Sequence, residues 1–319
     1  MDLRSNDSFG SLINGLQDVK TLQFSIVTPS FRSSPWLQLC IPSVADQGVD
    51  LEHIVQDSCS DDGTFDWLTS DPRVKPFIEK DSGMYDAVNR GLKRATGEIL
   101  AYLNCDEQYL PGALQAVWDH FHKHPETEIL FANTVVIDAN GEFLCYRKAE
   151  APLLAYTLGA GALSTLTCSM FFRRSVIDRH GLFFDGRLRD LGDADWVLRA
   201  LRKKLRMASL PRFTSAFAFT GANMNLGPNA IREKAEFRRL APFWLRPFRP
   251  LIVAHHRVRR FLYGAYRQAP FSYSIYTQAD RRARRTFQVP EPSHRWPTRR
   301  PWRIPLFSAL PGGRKVDGA

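Results

Sequence analysis

The stretch EKDSGMYDAVNRGLKRATGEILAYLNCDE, residues 79–107, decides the fold of this chain. Six small or apolar residues repeat in it at helical spacing and give a helix one apolar face: Met84, Ala87, Val88, Gly91, Leu92 and Ala95. Asp81 or Ser82 can cap the start of this helix. The apolar run at residues 98–103 is typical of a buried strand. The stretch therefore predicts a turn, a helix and a strand in succession.

Acidic side chains follow that strand directly. Asn104, Asp106 and Glu107 stand at its carboxyl end, which is where open α/β sheets bind ligands. Carboxylate oxygens suit a hard divalent cation, Mn²⁺ or Mg²⁺, and the phosphates that it bridges. Taken alone, an N-x-D-E sequence is more often an acidic surface turn than a metal site.

The sequence before residue 79 alternates strands with helices. Three predicted strands and two predicted helices follow one another: residues 24–28, 35–45, 51–55, 64–69 and 74–78. This alternation is typical of βαβ units in a parallel sheet. After residue 130 the pattern changes, because Asn140-Gly141 is a strong hairpin signal between two apolar runs. We therefore expect an α/β fold with a mixed sheet flanked by helices.

The stretch 79–107 resembles the family 2 glycosyltransferases, which have the Rossmann-like GT-A fold and often carry DxGxYDAxNxG before a strand ending LNxDD. Ten residues match this pattern: Asp81, Gly83, Tyr85, Asp86, Ala87, Asn89, Gly91, Gly97, Asn104 and Asp106. Glu107 stands where the family usually has a second Asp, and Asn104 where many members have the first Asp of a DxD motif. The resemblance therefore implies metal ligation by Asp106 more strongly than by Glu107.

The resemblance extends back through VTPSF and QDSCSDDGT, the loops after the first two strands. It implies that Thr28, Ser30 and Phe31 lie along the nucleotide site and that Asp57 contacts the base. Within the stretch 79–107 it implies six further donor-binding residues: Asp81, Gly83, Asp86, Asn89, Asn104 and Asp106. Structural alternatives exist, such as a strand end at Thr28 and an Asx turn at Asp57.

A second acidic cluster, FDGRLRDLGDADWVLR at residues 184–199, resembles the family stretch FDE…(E)DxDLxLR. Asp193 aligns with the catalytic base of inverting members, and Gly192 replaces the frequent preceding Glu. Acidic residues here would also favour a helix N-terminus, and Asp195 with Arg199 would form an i,i+4 pair. We assign catalysis to Asp193 and a structural role to Asp195 and Arg199.

The segment GAGALSTLTCSMFFRR, residues 159–174, precedes that cluster. Its small residues leave room for a ligand, and the resemblance places it near the acceptor. A buried strand over residues 166–172 with a flexible lead-in fits equally well.

Charge divides the chain in two. Of its 319 residues, 44% are hydrophobic, which suits one large domain and an appendage. Residues 231–319 hold 20 Lys+Arg and 5 Asp+Glu, a net charge of +15, against −5 for residues 1–230. We predict a catalytic domain at 1–230 and a basic, partly helical and partly disordered C-terminal extension at 231–319. Apolar residues among its arginines suit an anionic membrane surface, or a helix packed on the catalytic domain.

The remaining composition favours the cytoplasm. No run approaches the roughly 18 apolar residues of a membrane span, and the polar arm at residues 1–20 has no apolar signal core. Five scattered cysteines predict reduced thiols. We expect a cytoplasmic protein, with a peripheral position on the inner face of the membrane as the further option.

Together these features predict a metal-dependent, inverting glycosyltransferase. It would move a sugar from a nucleotide-diphosphate sugar to a hydroxyl of a glycan or lipid-linked acceptor, in polysaccharide or lipid-linked oligosaccharide assembly. One alternative is a nucleotidyltransferase acting on sugar phosphates, although such enzymes commonly have a glycine-rich loop after the first strand, where this chain has TPSFRSSPW. Another is a non-enzymatic adaptor, although the basic tail lacks a recognised nucleic-acid module, and no specific nucleic acid is expected.

Overall fold

The structure is a computed structural model and describes residues 22–159, 165–219 and 228–296. The polar arm expected at 1–20 and most of the last thirty residues, expected to be poorly ordered, lie outside these ranges. The described strands are β1 Phe24–Ser30, β2 Leu51–Asp57, β3 Lys75–Ile78, β4 Ile99–Tyr102, β5 Glu107–Tyr109, β6 Ile129–Ile137, β7 Phe143–Arg147, β8 Met170–Arg173, β9 Met207–Ala218, β10 Phe271–Ile275 and β11 Arg285–Val289. The described α-helices are α1 Ser34–Ala45, α2 Thr64–Leu68, α3 Met84–Arg94, α4 Ala113–Lys123, α5 Leu154–Gly159, α6 Ser175–Asp178, α7 Gly192–Arg202, α8 Pro228–Arg239 and α9 Arg249–Leu262.

A nine-stranded mixed sheet forms the centre of the molecule, in the order β3-β2-β1-β4-β8-β6-β9-β5, with β7 paired to β6. The strands β3, β2, β1 and β4 are parallel, as their alternation with helices predicts. Antiparallel pairing begins with β8, which lies between β4 and β6. The predicted change to a mixed sheet is confirmed, and so is the β6–β7 hairpin at Asn140-Gly141.

Helix α3 forms because one of its faces is apolar and packs on the sheet. A Cβ atom on Gly91 would lie 2.4 Å from Cγ1 of Val27, so this glycine lets α3 approach β1 closely. The expected cap by Asp81 or Ser82 is wrong. Gly83 occupies the N-cap position with φ at 138°, and no side chain caps the helix. Oδ1 of Asp81 instead accepts a hydrogen bond from the Gly83 amide at 2.9 Å, within the preceding turn.

Both faces of the sheet are covered. On one face, α3 and α7 pack their apolar residues against Val27 and Phe172. On the other, α1 and α4 pack against Phe24 and Phe171. Successive residues of one strand, such as Phe171 and Phe172, thus serve opposite cores, as the alternation of a strand requires.

The C-terminal hairpin β10–β11 also packs on the sheet. Tyr273 and Phe287 join a buried cluster with Val135 of β6 and Ala216 of β9. Part of the basic extension therefore shares a core with the catalytic sheet, while α8 and α9 supply its expected helices. The domain boundary at residue 230 stays a prediction. None of the helices that the structure describes is both long and apolar enough to cross a bilayer.

Candidate functional site

A cleft of about 1260 Å³ opens at the carboxyl ends of β1, β2 and β4. Parallel strands that end at one edge of a sheet bring their following loops together there. Six segments contribute lining residues, 29–33, 58–61, 80–87, 102–106, 166–167 and 189–193, and the single residues Trp36 and Phe217 add to them. Both acidic clusters identified in the sequence therefore reach the same cleft.

Asp57 ties two of these segments together. Its carboxylate accepts hydrogen bonds from Oγ of Ser30 at 2.8 Å and from Oγ and the amide of Ser60 at 2.7 and 2.8 Å. Ser30 lines the cleft, whereas Asp57 is buried behind it. The predicted contact of Asp57 with a base stays a prediction, and its visible role is to fix the loop.

Thr28 and Phe31 differ in position although both follow from the same motif. Thr28 is buried and its Oγ1 lies 2.8 Å from Nε2 of His53, outside the cleft lining. Phe31 lines the cleft and is 54% exposed, with the Arg32 guanidinium 5.0 Å from its ring centroid. Phe31 therefore presents a flat apolar surface to the cleft, and Thr28 supports the strand below it.

The glycine turn before α3 carries a basic residue from another segment. Arg189 donates a hydrogen bond to the carbonyl oxygen of Ser82. A Cβ atom on Gly83 would collide with this guanidinium. Asp81, Gly83 and Arg189 all line the cleft. Sequence reasoning missed Arg189, because only the fold brings residue 189 to residue 83.

Asp86 and Asn89 match the sequence motif but do not line the cleft. Asp86 accepts hydrogen bonds from Ser82 and from Arg90. The Asn89 side chain donates to the carbonyl of Phe184 at 2.8 Å and accepts from its amide at 2.9 Å. These two residues hold the cleft walls in place, and their predicted donor contacts stay predictions.

The turn after β4 presents Asn104 and Asp106 to the cleft. Glu107 points elsewhere, because its Oε2 accepts a hydrogen bond from the Asn104 amide at 2.8 Å. Burial raises the pKa of the carboxyl groups of Asp106 and Glu107, and the nearby charge of Asp106 raises the pKa of Glu107 further. Glu107 thus closes the turn, and its predicted metal ligation stays a prediction.

The donor atoms in this turn fit a divalent cation that shares its coordination with a ligand. No group of three or more His, Cys, Asp or Glu side chains in the described ranges could hold a metal by itself. Oδ1 of Asn104 is buried and accepts no hydrogen bond there, and Asp106 lines the same cleft two positions further along the chain. Mg²⁺ characteristically takes one or two carboxylates, with phosphate and water completing its octahedron.

Asp193 lies in the first turn of α7 and lines the same cleft. Its amide donates to the hydroxyl of Tyr85 at 3.2 Å, and its Oδ1 accepts from the Ala194 amide at 2.7 Å. Burial raises the pKa of Asp193 to about 6, and the negative charges of Glu233 and Asp190 add to this rise. A carboxylate with a pKa near 6 is ionised at neutral pH and still accepts a proton readily.

An aromatic stack holds the Tyr85 ring whose hydroxyl contacts Asp193. The ring of Tyr85 stacks on Phe184 at 5.5 Å, and Phe184 stacks on Trp196 at 5.4 Å. A Cβ atom on Gly192 would lie 2.5 Å from the Tyr85 ring. The departure from the family pattern at Gly192 therefore has a steric reason, since any larger residue would displace the ring.

Glu233 of α8 fastens the loop that precedes α7. Its carboxylate accepts hydrogen bonds from the amides of Arg189, Asp190 and Leu191 at 2.8, 3.0 and 2.8 Å. Glu233 is only 4% exposed. Sequence reasoning missed it, because it lies in the basic extension and belongs to no motif.

The segment 159–174 only partly follows its two expectations. Residues 160–164 lie outside the described residues. A 3₁₀ turn at Thr167–Ser169 precedes β8, so the strand begins four residues later than expected. Leu166 and Thr167 line the cleft, which agrees with a place beside a ligand. The expected pair of Asp195 and Arg199 is present, with Oδ2 and Nε 2.6 Å apart.

Comparison with known sequences adds a family to this geometry. Residues 25–181 match the family model of glycosyl transferase family 2. An uncharacterized glycosyltransferase of Nostoc sp. strain PCC 7120 is 25% identical over 171 residues, covering 50% of this chain and 53% of that protein. A PGL/p-HBAD biosynthesis glycosyltransferase of Mycobacterium tuberculosis strain H37Rv is 29% identical over 185 residues, covering 55% of this chain and 68% of that protein. The alignment thus spans about half the length of the Nostoc relative.

Comparison with solved structures adds the fold. Residues 1–349 of S. aureus TarS, in complex with UDP-GlcNAc, superpose with a TM-score of 0.56 at 18% identity, covering 76% of this chain and 73% of that one. At 18% sequence identity, the similarity to TarS is evidence for the fold alone. The expected GT-A fold, a mixed α/β sheet flanked by helices, is confirmed.

Proposed function

Because the chain belongs to glycosyl transferase family 2, we propose that it moves a sugar from a nucleotide-diphosphate sugar to a hydroxyl group of a glycan or lipid-linked acceptor. One observation carries the proposal. Asp106 and Asp193 are 87 positions apart in the sequence, and both line one cleft at the carboxyl edge of the sheet. Asp106 is suited to the diphosphate end of a donor, and Asp193 is suited to the hydroxyl group of an acceptor.

The donor would lie across the loops after β1 and β2. Phe31 offers an exposed aromatic face, and stacking of a base on such a face is favourable by about 1–3 kcal/mol. Arg32, Lys80 and Arg189 also line the cleft and would offset the charge of a diphosphate. The TarS structure holds UDP-GlcNAc on the same fold, which supports a nucleotide sugar as the donor class.

The proposed metal would be held by the carboxylate of Asp106 and by Oδ1 of Asn104. When bound, Mn²⁺ or Mg²⁺ supplies a positive charge that stabilises the departing diphosphate. The buried acceptor atom of Asn104 supports this assignment, because it accepts no hydrogen bond among the described residues. The turn is kept in shape by Glu107 from behind.

Asp193 is the proposed catalytic base. Its carboxylate takes the proton from the acceptor hydroxyl while that oxygen forms a bond to the anomeric carbon. The bond between the anomeric carbon and the diphosphate oxygen breaks in the same displacement, so the anomeric centre is inverted. Asp193 is held for this role by the Tyr85 hydroxyl and by the loop that Glu233 fastens.

The proposed setting is the cytoplasm, on the inner face of the membrane, in the assembly of a polysaccharide or a lipid-linked oligosaccharide. The relative from M. tuberculosis is a PGL/p-HBAD biosynthesis glycosyltransferase, which supports a biosynthetic transferase. The cysteines agree with a reducing compartment, since all five are free.

A donor screen tests this function. The full chain is incubated with nucleotide sugars and Mn²⁺, and released nucleoside diphosphate is measured. We expect release from one donor class. Asp106→Asn should weaken metal-assisted nucleotide binding, measured by calorimetry, by at least ~10-fold, because the cation loses its carboxylate ligand.

Two further variants make the screen specific. Asp119→Asn removes an exposed carboxylate from α4, outside the cleft, and should bind nucleotide like the unchanged protein. Glu107→Gln should do less than Asp106→Asn, because an amide oxygen can still accept from Asn104. Unchanged metal-assisted binding in a folded Asp106→Asn protein would remove the metal assignment. Release of pyrophosphate in a parallel incubation with a nucleoside triphosphate and a sugar phosphate would instead indicate a nucleotidyltransferase.

A further inference from the structure

The segment 240–263 carries an unusual concentration of exposed apolar side chains. Of thirteen exposed large apolar residues in the described ranges, nine form what we call the apolar face: Leu240, Phe243, Trp244, Phe248, Leu251, Val258, Phe261, Leu262 and Tyr263. Phe243 is 80% exposed and Leu262 is 76% exposed. Single exposed apolar residues are ordinary, but a contiguous group marks a surface that something covers.

Helix α9 turns an apolar side to the outside, whereas an ordinary surface helix turns its apolar side to the core. Arg260 points inward and is buried, with its Nε 3.7 Å from Oε1 of the buried Glu150. Leu251, Val258 and Leu262, which share one side of the helix, point outward. A helix that only packed on the domain would turn its apolar side inward. Packing within the described chain therefore does not account for the outward orientation.

The charge around the apolar face selects its partner. Residues 240–263 contain five arginines and no acidic residue. Arg246, Arg249 and Arg257 are exposed among the apolar side chains. This mixture is typical of segments that lie at an anionic membrane surface. A two-fold contact between copies would place like charges against each other, which is unfavourable.

We propose that the apolar face docks on an anionic lipid bilayer, with α9 lying in the plane of the headgroups. Its 14 residues span about 21 Å, whereas the hydrocarbon core is about 30 Å thick, so α9 lies on the bilayer and does not cross it. This proposal rests on the proposed function for the side of the membrane on which the protein lies. It adds the surface of the protein that makes the contact.

Vesicle flotation of the full chain tests this docking. Binding to vesicles containing phosphatidylglycerol should exceed binding to phosphatidylcholine vesicles by at least roughly tenfold and should weaken with salt. The double variant Leu251→Glu with Leu262→Glu should lose at least roughly tenfold in binding to the anionic vesicles. Phe65→Glu, which alters an exposed aromatic residue on α2 outside the apolar face, should bind like the unchanged protein.

A second pair of changes separates charge from apolar contact. Arg249→Gln with Arg257→Gln keeps the apolar face and should reduce the preference for anionic vesicles by roughly fivefold per arginine. This variant leaves every buried contact of α9 in place, so the test holds even if the glutamate variant fails to fold.

Three results would overturn the docking proposal. The first is equal binding of the unchanged protein to both kinds of vesicle, and the second is full binding by a folded glutamate variant. The third is a dimer in sedimentation, without vesicle binding, that the glutamate variant loses, since the face would then join two copies. Donor hydrolysis is measured without vesicles, so its absence would count against the proposed function and not against docking.

Discussion

The carboxylate of Asp193 is in a buried environment that disfavours its ionised form. Burial raises its pKa from 3.8 to about 6, so the ionised form is held at a cost. A general base benefits from this, because a pKa closer to neutrality makes proton transfer more favourable.

Asp193→Asn is expected to reduce turnover by roughly 10²–10⁴-fold, the usual contribution of a positioned base. Donor affinity should change little, because the proposed site for the diphosphate is at Asp106 and not at Asp193. In the unchanged protein, turnover should fall as the pH falls through about 6, since protonated Asp193 accepts no proton. Turnover is measured by single-turnover kinetics with saturating donor.

The same variant should unfold less readily at neutral pH. The pKa of Asp193 is higher in the folded state than in the unfolded state, so its contribution to the free energy of unfolding falls as the pH rises from about 4 to about 6. Asparagine does not ionise, so the Asp193→Asn variant does not lose this stability as the pH rises. Thermal unfolding of both proteins at pH 5 and pH 7 measures the difference. Unchanged turnover in a folded Asp193→Asn protein would move the role of base to Asp190 or Asp195.

The sequence was informative about individual residues where a motif carries chemistry. It indicated Asp81, Asp106 and Asp193, and the structure brings all three to the cleft. It could not indicate Arg189, which lies 106 positions from the turn at Gly83 that it covers. Such a contact depends on the fold and leaves no local pattern.

At the level of elements, helix α8 holds the loop that leads to Asp193, the proposed catalytic base. Glu233→Ala leaves three partly buried amides without their acceptor, which is unfavourable. The loop should then move, and turnover should fall by roughly 10–100-fold, because small displacements of a reacting group are enough for such losses. Donor affinity should fall less than turnover, because Arg189 is only one of the three basic residues that line the cleft. Single-turnover kinetics and a donor-binding titration measure the two effects.

Two companion variants distinguish positioning from general stability. Glu236→Ala removes an exposed carboxylate from the same helix and should leave turnover unchanged. Glu233→Gln keeps one acceptor oxygen and loses the charge that helps to raise the pKa of Asp193. The fall of turnover at acid pH should therefore shift to lower pH. A Glu233→Ala protein with normal turnover would contradict the positioning role.

The elements of the first hundred described residues follow from local patterns, because each strand and helix there has its own apolar period. Strand β9 has no such regular pattern, and the sequence did not predict it. Its register against β6 shifts between Ala132 and Asn133, whose partners are Leu210 and Phe213. Pro211 and Arg212 stand in the resulting irregularity, where a proline is tolerated and the alternation is broken.

At the scale of the whole molecule, residues 1–230 are predicted to be unstable alone. They lack Glu233, and they lack the hairpin whose Tyr273 and Phe287 cover Val135. Uncovering this cluster exposes apolar surface, which is unfavourable by roughly 25 cal/mol per Å². A chain ending at residue 296 should unfold cooperatively and bind donor, and a chain ending at residue 230 should do neither, as measured by circular dichroism and calorimetry.

The contrary result is equally informative. Cooperative unfolding and full donor affinity in the chain ending at residue 230 would establish that boundary as the limit of the catalytic domain. The sequence favoured this boundary because the charge changes sign there. Charge follows the surface of a protein, however, and says little about which apolar residues share a core.

Arg284 joins the end of the described chain to its beginning. Its guanidinium donates to the carboxylate of Asp46 at 2.6 and 2.7 Å, across a separation of 238 residues, and also to the carbonyl of Tyr109. A ribosome adds about 5–20 residues each second, so Asp46 waits roughly 10–50 seconds for this partner during synthesis. The surface that the hairpin covers includes Val135 and Ala216, so it is complete only once β9 has been made and stays uncovered until β10 and β11 follow. During synthesis the nascent chain therefore exposes an apolar surface that the folded protein buries.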